Sequence, residues 1–156
     1  MSTRWLNAGE QDAWRAWLDM YRLLLPALDR QLQSESRANF TDFEVLVHLS
    51  EAPQRRLRMS ELADRTLSTR SAITRTVDRL AARDWVRRVR SADDQRGFYA
   101  ELTVLGAEVL AEIAPGHVAA VRDYLIDLLT EDELAALRSI GRRVRQRMSN
   151  RLGTSN

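Results

Sequence analysis

The segment from Arg55 to Thr103 constrains this chain most. It holds 12 of the 24 arginines but only seven of the 22 acids, a net charge of +5, while the other 107 residues carry −3. Its polar and apolar residues read as a short helix, a tight turn, a second helix and a two-stranded hairpin. Positive charge gathered on that local architecture points to a nucleic-acid backbone as its partner.

Composition removes several other chemistries. The chain has no cysteine, which excludes disulfides, thiolate zinc sites, cysteine nucleophiles and thiol-based redox sensing. It also has no lysine, so each basic side chain is a planar donor fork suited to phosphate or to a guanine edge. At 156 residues, with 44% apolar and 29% charged residues, one soluble globular domain over 1–156 is expected. No apolar run approaches the ~18–20 residues that span a bilayer. The N-terminus lacks the basic and apolar pattern of a signal peptide. The expected compartment is therefore the cytoplasm, with no membrane partner. Gly-rich phosphate loops, H-E-x-x-H and G-x-S-x-G are all absent, and the acids are spread singly, so no enzyme is expected. His48 and His117 are isolated, without the i, i+4 pairing of a metal site; neither a metal nor a cofactor is expected. His117, after Pro115-Gly116, reads as a surface or interface residue.

Apolar spacing predicts a long amphipathic helix over 10–33, carrying Trp14, Trp17, Leu18, Tyr21, Leu24, Leu25, Leu28 and Leu32, with Pro26 kinking or splitting it. Thr41 with Glu44 fits a capping box for a second helix that turns Phe43, Leu46, Val47 and Ser50 inward and ends at Ala52-Pro53. Ser60 is positioned to cap a third helix, Glu61 to about Thr66, with Leu62 and Ala63 inward. Ser68 or Thr69 caps a fourth running to about Arg83, with Ile73, Val77 and Leu80 buried. Alternation from Trp85 to Arg90, and again through Phe98, Ala100 and Leu102, predicts a hairpin. Thr103 caps a fifth helix that Pro115-Gly116 interrupts or bends. Thr130 with Glu133 opens a sixth, whose stripe is Leu134, Leu137, Ile140, Val144, Met148 and Leu152.

On the fourth helix this burial leaves Arg70, Ser71, Thr74, Arg75, Asp78 and Arg79 on the outer face. Arginine is the commonest reader of guanine, and serine and threonine are short hydrogen-bonding groups. A plain solvated face is the competing reading, and Arg79 has a second one, as the partner of Asp78 or of an acid on a neighbouring helix. In the hairpin, strand alternation favours Arg88 and Arg90 over Arg87 as phosphate contacts. Arg96 near the tip suits a narrow minor groove, with Asp94 placed to hold its guanidinium. Arg55, Arg56 and Arg58 read equally as backbone contacts or as a basic loop. Trp14, Trp17 and Tyr21 read first as packing or dimer interface, and, with His48, second as a ligand pocket.

The runs Arg58-Met59-Ser60-Glu61-Leu62-Ala63, Ser71 to Leu80, Val86-Arg87-Arg88, Asp94-Gln95-Arg96-Gly97 and Leu102-Thr103 together resemble the MarR family of winged helix-turn-helix regulators. The D-x-R followed by L-T is the most specific element, and the likeness covers nearly the whole chain. It implies a mainly α fold with a small β wing. A winged helix-turn-helix lobe lies at about 40–103, with N- and C-terminal dimerisation helices at about 10–33 and 104–152. It further implies a homodimer joined partly through Leu134, Leu137, Ile140, Val144 and Met148. The dimer would bind double-stranded DNA at a pseudo-palindromic operator, as a ligand-responsive repressor with a small aromatic effector. In that likeness the fourth helix enters the major groove and Arg96 the minor groove. Two positions depart from the family pattern. Asp84 stands where glycine is usual, and Arg65-Thr66 occupies a turn that tends to hold glycine. The alternative function is a sequence-nonspecific architectural DNA-binding protein without an effector.

Overall fold

A computed structural model describes residues 2–91 and 97–152. Among them the helices are α1 (Ala8–Ser36), α2 (Phe40–Glu51), α3 (Met59–Arg65), α4 (Arg70–Ala81), α5 (Val104–Tyr124) and α6 (Glu131–Leu152). The strands are β1 (Arg56–Arg58), β2 (Val86–Arg90) and β3 (Phe98–Leu102). They form one antiparallel sheet in the order β1-β3-β2, with Leu57 opposite Ala100 and Arg88 opposite the same residue from the other side. The fold is the expected one, mainly α with a small β wing.

Several boundaries differ from the sequence reading. The long first helix opens at Asn7, whose side chain accepts from Glu10 N–H while Glu10 bonds back to Asn7. It continues unbroken through Pro26, and α5 continues likewise through Pro115. Each proline removes one helical donor, but packing secures the helix nearby, through Leu28 and Leu32 in α1 and through Ile113 and His117 in α5. The cap of α2 is Asn39 with Asp42, not Thr41 with Glu44. Asn39 Oδ1 accepts from Asp42 N–H at 2.8 Å and Asp42 Oδ2 accepts from Asn39 N–H at 3.1 Å. Ser50 is exposed and donates to Val47 O, leaving Val45 and Leu49 with Phe43 and Leu46 in the interior. Ser60 is not the cap of α3. Arg58 holds that position without capping the helix through its side chain, because its pairing with Tyr99 carries strand directly into helix.

The main core gathers Val45, Leu46, Leu49, Leu57, Leu62, Ile73, Val77, Leu80, Val86, Ala100 and Leu102. Ile73, Val77 and Leu80 have no exposed surface, and burial of such side chains stabilises the fold by about 1.5–3 kcal/mol each. A second cluster of Leu32, Ala38, Phe43 and Ile113 lies where α1, α2 and α5 meet, and Trp85 and Leu110 pack against both clusters. The N-terminus of α5 is wedged against the turn after α4. Thr103 Oγ1 accepts from Gly106 N–H and donates to Asp84 O, and a Cβ on Gly106 would lie 2.0 Å from Trp85 O.

Asp84 adopts φ 58°, the left-handed conformation that aspartate tolerates better than most residues. The turn between α3 and α4 places Leu67, rather than Arg65 or Thr66, in that region, at φ 52°. Leu67 is 72% exposed, so its side chain offsets little of the strain. The segment 104–128, α5 with the turn that follows, is long and apolar enough to cross a membrane, contrary to the sequence reading. Its inward residues Ile113, His117 and Ala120 are packed within the fold.

His117 corrects another expectation, because it is buried rather than at the surface. Its ring lies 4.3 Å from that of Phe43 and 5.9 Å from that of Phe40, and Nδ1 pairs with Gln31 Oε1 at 3.3 Å. Burial lowers its pKa, and Glu35 opposes that shift.

Two predictions follow from these strained and buried positions. Leu67→Gly relieves a left-handed penalty of about 1–2 kcal/mol, less the entropy that glycine loses on folding, so thermal unfolding should show a Tm raised by a few degrees. A lower Tm would contradict the strained turn. An imidazole with a lowered folded pKa binds fewer protons folded than unfolded, so stability falls as pH drops below about 6.5. Urea unfolding at fixed protein concentration should show a smaller loss of stability between about pH 7.5 and about 5.5 for His117→Gln than for the unsubstituted chain. Equal losses would contradict the buried neutral His117.

Candidate nucleic-acid interface

The outer face of α4 begins at its cap. Thr69 Oγ1 accepts from Ala72 N–H at 3.2 Å and sits 3.2 Å from Ser71 Oγ. Arg70, Ser71 and Arg75 are exposed and Thr74 is half-buried. Thr74 donates its hydroxyl to Arg70 O at 2.9 Å, which leaves its oxygen lone pairs able to accept. Among the described residues, Arg70 and Arg75 make no ion pair.

The hairpin and α3 complete a concave surface. Arg58, Met59, Ser60, Arg70, Thr74, Arg88, Gly97 and Phe98 line a groove of about 380 Å³. Arg70 and Arg88 therefore share a groove beside the N-terminus of α4, where the helix dipole adds positive potential. Arg88 stacks over Phe98 at 4.8 Å and bonds Asp78 Oδ1 at 3.1 Å. Arg90 lies 5.7 Å from the centroid of the same ring. Strand alternation turns Arg87 to the opposite face, where it pairs with Glu101. On that face Arg56 and Arg58 both lie 5.2 Å from the Tyr99 ring centroid. Asp94 and Arg96 lie outside the described residues.

Arg79 takes the second of its two readings from the sequence, pairing with an acid on a neighbouring helix, and is turned toward α2 rather than outward. Its Nε and Nη2 donate to Asp42 Oδ1 at 3.1 and 2.6 Å, and Asp42 is only 1% exposed. Arg83 is similarly engaged, donating to Arg37 O at 3.0 Å and lying over Trp85. The residues missed by sequence reasoning are Met59, Ser60 and Phe98 in the groove. Their signal was weak because β1, which places Arg58 and the start of α3 there, is only three residues long.

The other candidate residues separate into distinct places. Trp14, Trp17 and Tyr21 stack in series along α1, with centroids 5.2 and 5.7 Å apart, and each is about half exposed. Tyr21 also lines a groove of about 480 Å³ with Arg22, Leu25, Pro26, Asp29 and Phe40. Trp14, Trp17 and His48 do not line it. His48 is half-buried on α2, and burial, followed by the Arg65 charge, lowers its pKa. On α6, Leu134 and Leu137 are half-buried, whereas Ile140, Val144 and Met148 are exposed on this single chain. Among the described residues, no cluster of three or more His, Cys, Asp or Glu is placed to hold a metal ion.

Comparison with known proteins agrees with this architecture. A family model described as MarR family matches residues 39–97, from the cap of α2 to the start of β3. A MarR family transcriptional regulator from Streptomyces coelicolor, solved in complex with DNA, is 44% identical. Its alignment covers 93% of this chain and 91% of that one, with a TM-score of 0.91. AbsC, a MarR family transcriptional regulator from the same organism, is 38% identical over 95% of this chain and 99% of its own, with a TM-score of 0.90. The HTH-type transcriptional regulator MhqR of Bacillus subtilis is 30% identical over 67% of this chain and 68% of its own length. With the winged module matched and the likeness extending over nearly the full length of solved members, the chain belongs to the MarR family of transcriptional regulators.

Proposed function

We propose that this chain is a sequence-specific transcriptional repressor that binds duplex DNA as a homodimer. The observation that carries the reading is the groove where Arg70 and Arg88 lie beside Thr74 and the N-terminus of α4, with Arg58 at its rim. A helix entering the major groove presents its first turns to the base edges. Arg70, Ser71, Thr74 and Arg75 occupy those turns and are the proposed base readers. Arg88 and Arg90, supported on Phe98, face the flanking phosphates, and Arg58 rims the same groove. The MarR regulator solved with DNA supports this reading, as do the relatives named as repressors, such as YetL of Bacillus subtilis. Arg96, with Asp94 beside it in sequence, is the proposed minor-groove contact.

The dimer reading is supported by what the single chain leaves uncovered. Ile140, Val144 and Met148 are 49%, 57% and 48% exposed on one stripe of α6, and α6 packs little against its own chain. Trp14, Trp17 and Tyr21 on α1 and Val118 and Leu128 around α5 add further exposed apolar surface. Burial of these faces against a second copy is the proposed interface. It includes Leu134 and Leu137. The groove bounded by Tyr21, Leu25, Pro26 and Phe40 has the size and apolar walls of a small-molecule site. It supports the reading of a small aromatic effector, with Tyr21 the only one of the four sequence-proposed pocket residues that lines it.

Two outcomes test this reading. Arg70→Ala should weaken binding to the preferred duplex by about 1–3 kcal/mol and relax sequence preference, whereas Arg88→Ala should weaken binding to every duplex and reduce the salt slope by about one. Fluorescence anisotropy across a salt series separates the two, and unchanged affinity in both variants would overturn the interface. Val144→Asp should give a monomer by analytical ultracentrifugation, with tight DNA binding lost. A stable variant dimer would refute the α6 interface.

A further inference from the structure

The apolar stripe of α4 fixes how deeply the helix is buried, but hydrophobic contact is non-directional. The direction comes from the other end of the helix. Arg79 donates twice to Asp42 Oδ1 and also reaches Thr76 Oγ1 at 3.4 Å. The second oxygen of Asp42 accepts from Asn39 N–H, so this buried carboxylate is shared between the cap of α2 and the side of α4. The next residue, Phe40, donates its N–H to Asp29 Oδ1 on α1 at 2.8 Å, and Gln33 holds the other Asp29 oxygen. Arg83 adds a second tie, from the end of α4 to the C-cap residue of α1. A continuous series of charge-assisted bonds thus runs from α1 through the start of α2 to α4.

We propose that Asp42 and Arg79 are positioning residues that set the orientation of the recognition helix, and that Asp29 anchors them to α1. The proposal rests on the DNA-binding reading given above. Arg79 lies nine residues beyond Arg70, roughly 13 Å along the helix axis, so a tilt of about 5° at Arg79 moves Arg70 by roughly 1 Å. Hydrogen bonds to base edges do not tolerate such a shift, whereas contacts to the phosphate backbone do. The pair therefore controls sequence preference and leaves general DNA affinity largely unaffected. A guanidinium suits this role because its rigid fork fixes an angle, which a lysine ammonium does not.

The decisive variant is Asp42→Leu/Arg79→Met. Replacing both members of a buried ion pair with apolar groups often preserves stability. The readout is the ratio of affinities for the duplex that the unsubstituted protein enriches from a random pool and for random duplex, with Tm measured alongside. The expected result is a folded protein with unchanged affinity and salt slope on random duplex, and a preference reduced by about tenfold, the worth of one good base contact. A folded double variant that keeps the full preference overturns the proposal. Should the double variant fail to fold, Arg79→Lys keeps the charge and loses the fork. A reduced ratio supports the proposal and an unchanged ratio overturns it. An unsubstituted protein that shows no preference among duplexes would instead overturn the DNA-binding reading. A measurement without DNA then still decides the tie: Asp29→Asn should speed amide hydrogen exchange in the last two turns of α4 and leave α3 unchanged, and unchanged exchange in α4 would overturn it.

Discussion

One buried carboxylate ties α4 to the start of α2. Asp42 has almost no contact with solvent, yet it serves the cap of α2 and the guanidinium of Arg79 at once. A charge so placed is tolerated only when its hydrogen-bonding capacity is satisfied. The satisfied arrangement is also a geometric one, because it joins the start of α2 to the side of α4. Breaking one partner would leave a buried charge uncompensated, at a cost of about 3–5 kcal/mol. That is enough to consume much of the roughly 5–15 kcal/mol by which a domain of this kind is stable.

The arginines show how little a net charge says about its use. Those of the basic segment meet different fates. Arg79 and Arg83 brace α4 from behind, and Arg87 is neutralised by Glu101 on the far side of the wing. Arg56, Arg58, Arg88 and Arg90 lie over Tyr99 or Phe98, so aromatic faces restrain long side chains that would otherwise lose much rotamer entropy on binding. Only part of the +5 charge therefore faces outward beside α4. A chain without lysine is well suited to this arrangement, since guanidinium stacks on rings and still presents its donors at the edge.

What was legible in the sequence was local. The buried stripe of α4, the Thr69 cap, both wing strands, the Thr130 and Glu133 box and the left-handed Asp84 all depend on residues within a few positions of one another. The start of α2 differs from the sequence reading because two capping boxes compete there, and the acid of the one that forms also meets Arg79, 37 residues away. For Arg79 the sequence leaves open the outer face or an acid on a neighbouring helix, because that acid, Asp42, lies just as far away in the chain. The burial of His117 was hidden by Pro115-Gly116, a pair that normally marks a break, but here lies inside a helix held by Phe40, Phe43 and Gln31. Strand β1 carries no periodic signal in three residues and exists because β3, some 40 residues later, supplies its hydrogen bonds. Part of the groove beside α4 was therefore invisible until the long-range pairing placed it.

The most direct measurement is selection of bound duplexes from a random pool at moderate salt, followed by sequencing. A dimer with one recognition helix per half-site enriches an inverted repeat whose half-sites lie one helical turn apart, roughly 34–36 Å. Retention of DNA without any enriched motif would contradict sequence-specific reading by α4, and no retention at all would contradict DNA binding itself.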